Sequence, residues 1–298
     1  MALIALVSAK SSGVTTAAAA LALAGRRPVL LAEFDLSGGS LRHGLLRDVR
    51  RGGQELDGTT GVHRLPQADW ERAEGQEFTP AVSAHLWPLD GSDYRFALPG
   101  VTDPRQAASL TQTWPALGNV LQLIDQRLGW DVLVDAGRLV LHAGRPHPVL
   151  SPLPVLRAAD LVLVVVRATE ESLVLARPVV EALADDLTGH GRTSRGLGLL
   201  LLGPSTHRRQ EVERELGAPL LGTLPWDERT AACLTRGTGM PRGFARSALM
   251  RGAREAMGPL REYADRRRLQ QQMSAAHAAT PAMDRMLQQL ATRGGSHG

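Results

Sequence analysis

The residues AKSSGVTTA, positions 9 to 17, join an apolar run to a stretch rich in alanine and leucine. They contain Lys10, the one lysine in a chain that carries 33 arginines. A strand, a loop of small residues and a helix opening on Thr15 and Thr16 make the architecture of a phosphate site. Backbone N–H groups at a helix N-terminus point at an anion, and the helix dipole adds to the attraction. Small residues at 11 to 13 let the backbone come close. Lys10 brings a compact ammonium that arginine does not replace one for one. GC-rich coding is the plainer reading of a chain so biased to arginine and alanine.

Such a loop needs elements to hold it. Continuous apolar runs of strand length recur: ALIALV (2–7), PVLLAEF (28–34), YRFALP (94–99), DVLVDA (131–136), DLVLVVV (160–166), LGLLLLG (197–203) and PLLGTLP (219–225). Runs without alternation suit parallel strands covered on both faces. Helix-length segments lie between them. TTAAAALALAG closes on Gly25, the segment 103–129 breaks near Pro115, and EESLVLARPVVEALADDL and STHRRQEVERELG follow. Strand and helix in alternation predict an α/β fold around a parallel sheet of seven or eight strands, a three-layer sandwich. Residues 47–92, with Trp70 and Trp87, read as an irregular insertion in one domain spanning 1–264. Residues 265–298 are polar and rich in small residues, and read as a flexible tail. In that tail Met283, Met286, Leu287 and Leu290 share a helical stripe, as a short amphipathic helix would.

The chain has 298 residues, 43% hydrophobic and 21% charged, as expected of a globular domain with a sizeable core. The single Cys233 excludes an internal disulfide and a cysteine-based zinc site, and fits a reducing cytoplasm. The histidines show no metal-ligand spacing. The first apolar run reads as a strand rather than a signal peptide, and no transmembrane segment is expected. Net charge is +4, but from Arg236 onward 11 arginines face only Glu255, Glu262, Asp265 and Asp284. A basic C-terminal region suits DNA or an anionic membrane, or is simply a solvated helical face.

The loop resembles the deviant P-loop of the MinD/ParA family, K-G-G-x-G-K-T-T. Gly13 matches the last glycine, and Thr15 and Thr16 match the two threonines. Lys10 falls near the family's signature lysine, which reaches across a dimer interface to the partner's phosphates. Further stretches follow in the family's order. AEFDLSGGS resembles the D-x-D switch segment, with Glu33 and Asp35 in the acidic positions. GWDVLVDAG resembles the Walker B strand, ending on Asp135. AADLVLVVVRATEESL and LGTLPWDERTAACLTRG resemble the next strand and the proline-containing segment that flanks the base. The resemblance covers residues 2 to about 255. It implies a P-loop NTPase-like fold, ATP and Mg²⁺ as cofactors, and a homodimer that forms and dissolves with nucleotide. It implies nucleotide contacts from Lys10, Ser11, Ser12, Gly13, Val14, Thr15, Thr16 and Pro225. It implies Mg²⁺ at Thr15, Asp35 and Asp135, and catalytic roles for Asp35, which orients water, and Lys10.

The chain also departs from the pattern. Val14 stands where the ordinary P-loop lysine belongs, the loop is one residue short, and no arginine within it compensates. The asparagine that reads adenine in relatives is replaced by Gly203 or Pro204. Three functions are therefore compatible with the sequence. The first is a nucleotide-dependent dimeric switch or localisation factor with weak ATPase activity, cytoplasmic or peripheral at a membrane or cell pole. The second is a non-hydrolysing scaffold. Here the AEFDLSGG segment resembles the CpaE/TadZ-type branch, which acts beside a pilus or secretion ATPase. The third is a partition protein that binds DNA non-specifically. A dehydrogenase is disfavoured, because the loop lacks the G-x-G-x-x-G spacing.

Overall fold

A computed structural model describes residues 2–10, 13–73, 76–190, 196–204 and 207–294, with side chains described up to Met273. In chain order the first elements are β1 (Leu3–Ser8), α1 (Val14–Ala24), β2 (Val29–Glu33), α2 (Ser40–His43), α3 (Leu65–Glu71) and α4 (Thr79–Ala84). Then come β3 (Trp87–Pro88), β4 (Arg95–Leu98), α5 (Ala107–Leu110), α6 (Trp114–Leu123), β5 (Asp131–Arg138) and a small hairpin of β6 (Leu141–His142) with β7 (Arg145–Pro146). The last are α7 (Leu153–Ala158), β8 (Leu161–Arg167), α8 (Glu170–Gly189), β9 (Leu197–Leu202), α9 (Arg209–Leu216), β10 (Leu220–Leu224), α10 (Glu228–Arg236) and α11 (Ala248–Gly294).

Every apolar run named above becomes a strand of one eight-stranded sheet, in the order β10-β9-β8-β1-β5-β2-β4-β3. All neighbours are parallel except β3, which pairs antiparallel with β4. The sheet separates two apolar layers. Successive residues of β1 go to opposite sides, Leu3, Ala5 and Val7 to one and Ile4 and Leu6 to the other. The first layer packs α3 to α9, the second α1, α2, α10 and α11. A short strand running the wrong way at the edge also blunts the sheet against further pairing.

Helix α1 is apolar all round because it is central. Ala17 to Ala22 are fully or almost fully buried between the sheet and α11. Alanine lets the backbone lie close to its neighbours, which brings the helix N-terminus to the C-terminal ends of β1 and β5. Pro115 sits in the first turn of α6, so the break expected near it falls just upstream. The irregular stretch 47–92 belongs to the same core. Val62, Leu65, Phe78 and Val82 are buried in the first layer and Trp87 in the second, while Trp70 is exposed.

Helix α11 crosses the expected boundary at residue 265 without a break. Its arginines clamp the end of the sheet opposite α1's N-terminus. Arg261 donates from Nε to Asp131 at 3.1 Å. Arg268 bonds Asp125 and Asp160, and Asp160 also accepts the Leu3 N–H at 2.9 Å. Part of the C-terminal excess of positive charge is therefore spent inside the molecule. The stripe at Met283 to Leu290 lies outside the described side chains. Among the described residues no helix is long and apolar enough to cross a membrane. Burial lifts the Asp125 carboxyl to about 6 although Arg268 pulls it down. Removing the guanidinium strands buried carboxylates. Arg268→Ala is expected to lose about 3 kcal/mol of stability by urea unfolding at pH 8. The deficit should narrow at pH 5, where Asp125 takes up a proton.

Candidate functional site

Gly13 ends the loop in the left-handed region, φ 78°, and is the N-cap of α1 without a side-chain cap. Glycine reaches that conformation at little cost. An added Cβ would also lie 3.1 Å from Leu202 Cδ1. The Gly13 carbonyl accepts the Ala17 N–H at 2.9 Å. The first N–H groups of α1, like those of any helix, have no intrahelical partner, and its first turn holds no acid to repel an anion. They open on a cavity of about 460 Å³. Its walls include Gly13 to Ala17, Asp35, Gly137, Arg138 and Pro225.

The acids arrive from the ends of two neighbouring strands. β2 and β5 pair in register, Glu33 opposite Asp135, and the Phe34 N–H donates to the Asp135 carbonyl at 2.7 Å. Asp135 is fully buried. Its Oδ1 accepts the Gly137 N–H at 3.1 Å, and among the described residues its Oδ2 has no hydrogen-bond partner. Burial pushes its pKa up to about 8, with repulsion from Glu33 and Asp35 adding to the rise. The Thr15 hydroxyl and the Gly137 N–H pull it partly back. Asp35 is half-buried at the cavity wall, its Oδ1 accepting the Ser37 N–H at 2.9 Å. Gly137 has φ 62°, and an added Cβ would lie 2.3 Å from Asp35 Cγ.

Glu33 has a different task. It is fully buried and outside the cavity lining. Its Oε1 accepts the Leu41 N–H and its Oε2 the Gly100 N–H, both at 2.9 Å. It ties α2 and the loop after β4 to the end of β2. Burial lifts its pKa to about 7, although the two N–H groups work against the rise.

The structure thus brings Gly13, Val14, Thr15, Thr16, Asp35 and Pro225 to one cavity; Asp135 is fully buried outside the lining, next to the lining residues Thr15 and Gly137. Ser11 and Ser12 lie outside the described residues. Lys10 lies elsewhere, in an adjoining cavity of about 240 Å³ with Arg167, Thr169, Glu171 and Ser172. Its Nζ meets Glu171 Oε1 at 2.5 Å, both side chains more than half exposed. Such a surface pair is weak and exchanges readily for a better anion. Gly13 and Trp226 border both cavities. The Arg167 guanidinium lies 4.2 Å over the Trp226 ring, whose Nε1 donates to Glu228 at 3.0 Å. No motif in the sequence singles out Trp226 or Arg138. Trp226 could have been found as the residue after Pro225. Arg138 carries no such signal, since strand register alone places it.

The donor set suits Mg²⁺. A hard cation takes oxygen ligands, and Mg²⁺ usually binds one or two carboxylates together with phosphate oxygens and water. The unpartnered Asp135 Oδ2, the Thr15 hydroxyl and Asp35 are oxygen donors of that kind. Among the described residues no group of three or more His, Cys, Asp or Glu side chains is arranged to hold a metal unaided. The phosphates would have to complete the shell.

No protein-family model matches the sequence, and no curated protein matches it. Solved structures do. A ParA family ATPase from Chlorobium tepidum superposes with a TM-score of 0.60 at 15% identity, over 86% of this chain and 98% of that one. The septum site-determining protein MinD from Pyrococcus horikoshii, complexed with Mg-ADP, gives 0.58 at 17% identity, over 85% and 94%. A variant of Cyanothece McdA in complex with ATP gives 0.55 at 16% identity, over 86% and 96%. The chain has the fold of the MinD/ParA family ATPases, an eight-stranded, mostly parallel sheet flanked by helices.

Proposed function

We propose that the protein is a nucleotide-dependent dimeric switch or localisation factor that takes ATP and Mg²⁺ in the cavity at the N-terminus of α1. The observation that carries this reading is one junction. A helix N-terminus behind a left-handed glycine meets a hydroxyl, an acid at the rim and a buried acid with an oxygen that is unpartnered among the described residues. Solved proteins of the same fold hold Mg-ADP, ATP or AMPPNP. In this reading the N–H groups of residues 13 to 16, with Ser11 and Ser12, cradle the phosphates. Thr15, Asp35 and Asp135 hold Mg²⁺, Asp35 orients the attacking water, and Pro225 borders the base. Lys10 leaves Glu171 for the phosphates bound by a second copy of the chain.

The test is the mass of the protein by light scattering. Wild type should pass from monomer to dimer with ATP and Mg²⁺, and Lys10→Ala should stay monomeric while still binding nucleotide. Dimerisation unchanged in Lys10→Ala would remove the role given to that lysine.

A second reading, a non-hydrolysing scaffold beside a pilus or secretion ATPase, is favoured by Val14. The side chain in the lysine position is apolar and only 4% exposed. It places no charge on the β and γ phosphates. This reading predicts nucleotide binding without phosphate release. Turnover in wild type that Asp35→Ala abolishes would exclude it. The partition reading is weakened by Arg261 and Arg268, which spend their charge on buried aspartates rather than on DNA or anionic lipid.

A further inference from the structure

We infer that Arg138 takes the place of the missing P-loop lysine, supplying from the sheet the cation that the loop has lost. The inference rests on the nucleotide reading above and names a residue of that same site.

The loop and β5 are neighbours by register. Ser8, the last residue of β1, pairs with Arg138, and the Leu139 N–H donates to the Ser8 carbonyl at 2.9 Å. The pairing skips a step between Leu6 and Ser8. Asp135 stands opposite Leu6 before the skip, and Arg138 opposite Ser8 after it. Three residues of β5 are thus matched by two of β1, and the extra residue lets the strand end turn. Gly137, at φ 62°, makes that turn. The strand therefore carries an acid and a base to the same end of the sheet, Asp135 buried behind the cavity and Arg138 exposed in its lining.

Charge gives the second argument. Arg138 lines the same cavity as Val14 and Thr15. Among the described residues it forms no ion pair. Two nearby cations are engaged, Lys10 with Glu171 and Arg167 with the Trp226 ring, and the other cation lining this cavity is Arg236, the last residue of α10. The cavity also holds Asp35, Asp227 and Glu228. A polyphosphate entering that acidic surround needs a cation besides Mg²⁺. A guanidinium suits the task, since its planar fork can donate two parallel hydrogen bonds to phosphate oxygens. A P-loop lysine reaches the phosphates from the helix, and Arg138 would do so from the adjacent strand end. Loss of the lysine is then a relocation of charge.

The test is equilibrium binding of a fluorescent ATP analogue with Mg²⁺ to wild type, Arg138→Ala, Arg138→Lys, Val14→Lys and the double variant Val14→Lys/Arg138→Ala. Arg138→Ala should weaken binding about tenfold or more, and Arg138→Lys by about threefold. Val14→Lys, if it melts like wild type, should restore most of the affinity lost in Arg138→Ala. Binding in Arg138→Ala equal to wild type overturns the inference and leaves the nucleotide site standing. No binding by wild type at millimolar ATP overturns both.

Discussion

Asp135→Asn is expected to abolish the Mg²⁺ dependence of nucleotide binding and, in the same molecule, to raise the melting temperature of the ligand-free protein at pH 8. Both follow from one buried carboxylate. Its pKa is pushed from 3.8 to about 8, and that of Glu33 opposite it from 4.5 to about 7. An acid whose folded pKa is raised binds its proton more tightly in the folded state. The stability it costs is absent at pH values below its unfolded pKa and grows as pH rises, until it levels off above the folded pKa. Between pH 5 and pH 8 the ligand-free wild type should therefore lose stability, by up to roughly 1.4 kcal/mol per pH unit from Asp135 alone. Asparagine keeps the shape and cannot ionise. The gap between variant and wild type should widen with pH and reach on the order of 5 °C at pH 8. A divalent cation relieves the same repulsion, so Mg²⁺ with nucleotide should stabilise wild type most at pH 8 and do little for Asp135→Asn. Scanning calorimetry across this pH range reads both effects. A variant that melts below wild type at pH 8 would show that Asp135 is held by contacts other than those seen here.

Gly137→Ala should damage the site by another route. The backbone at 137 is left-handed, which costs a non-glycine residue about 1–2 kcal/mol. The new methyl would also fall 2.3 Å from Asp35 Cγ and 2.4 Å from its Oδ1, so the Asp35 side chain must leave its position. The expected result is a loss of about 1–3 kcal/mol in urea unfolding, and loss of the Mg²⁺-dependent part of nucleotide affinity. Asp35→Ala cannot relieve the clash, because the Asp35 Cβ is itself 2.7 Å from the added methyl. Asp35→Gly can. The double variant Asp35→Gly/Gly137→Ala should regain part of the stability and none of the Mg²⁺ response. Wild-type affinity in Gly137→Ala would mean that Asp35 is dispensable to the site.

The sheet was legible because its strands are buried on both faces and read as unbroken apolar runs. β3 was not, since Trp87 and Pro88 are too short a run to carry a pattern. Its role comes from the partner it finds on β4. The extent of α11 was also hidden. Its sequence is polar after residue 265, and what fixes the helix just past that point is Arg268 meeting Asp125 and Asp160, more than a hundred positions away. Within the candidate site, local motifs point to Gly13, Thr15, Asp35 and Asp135 because each sits at or near the end of a predictable element. Glu33 and Arg138 needed three dimensions. Glu33 sits in an acidic position of the motif, yet its oxygens satisfy the backbone of Leu41 and Gly100. Arg138 lies far along the chain from the loop, and only the register of β5 on β1 puts it beside Ser8.

Isothermal titration of the ligand-free protein with ATP at pH 8, with and without Mg²⁺, tests the central claim most directly. The expected result is one site per chain, binding that strengthens at least about tenfold with Mg²⁺, and loss of that gain in Asp135→Asn. Titrations without heat at millimolar ATP in either condition, or binding indifferent to Mg²⁺ and to Asp135→Asn, would contradict it.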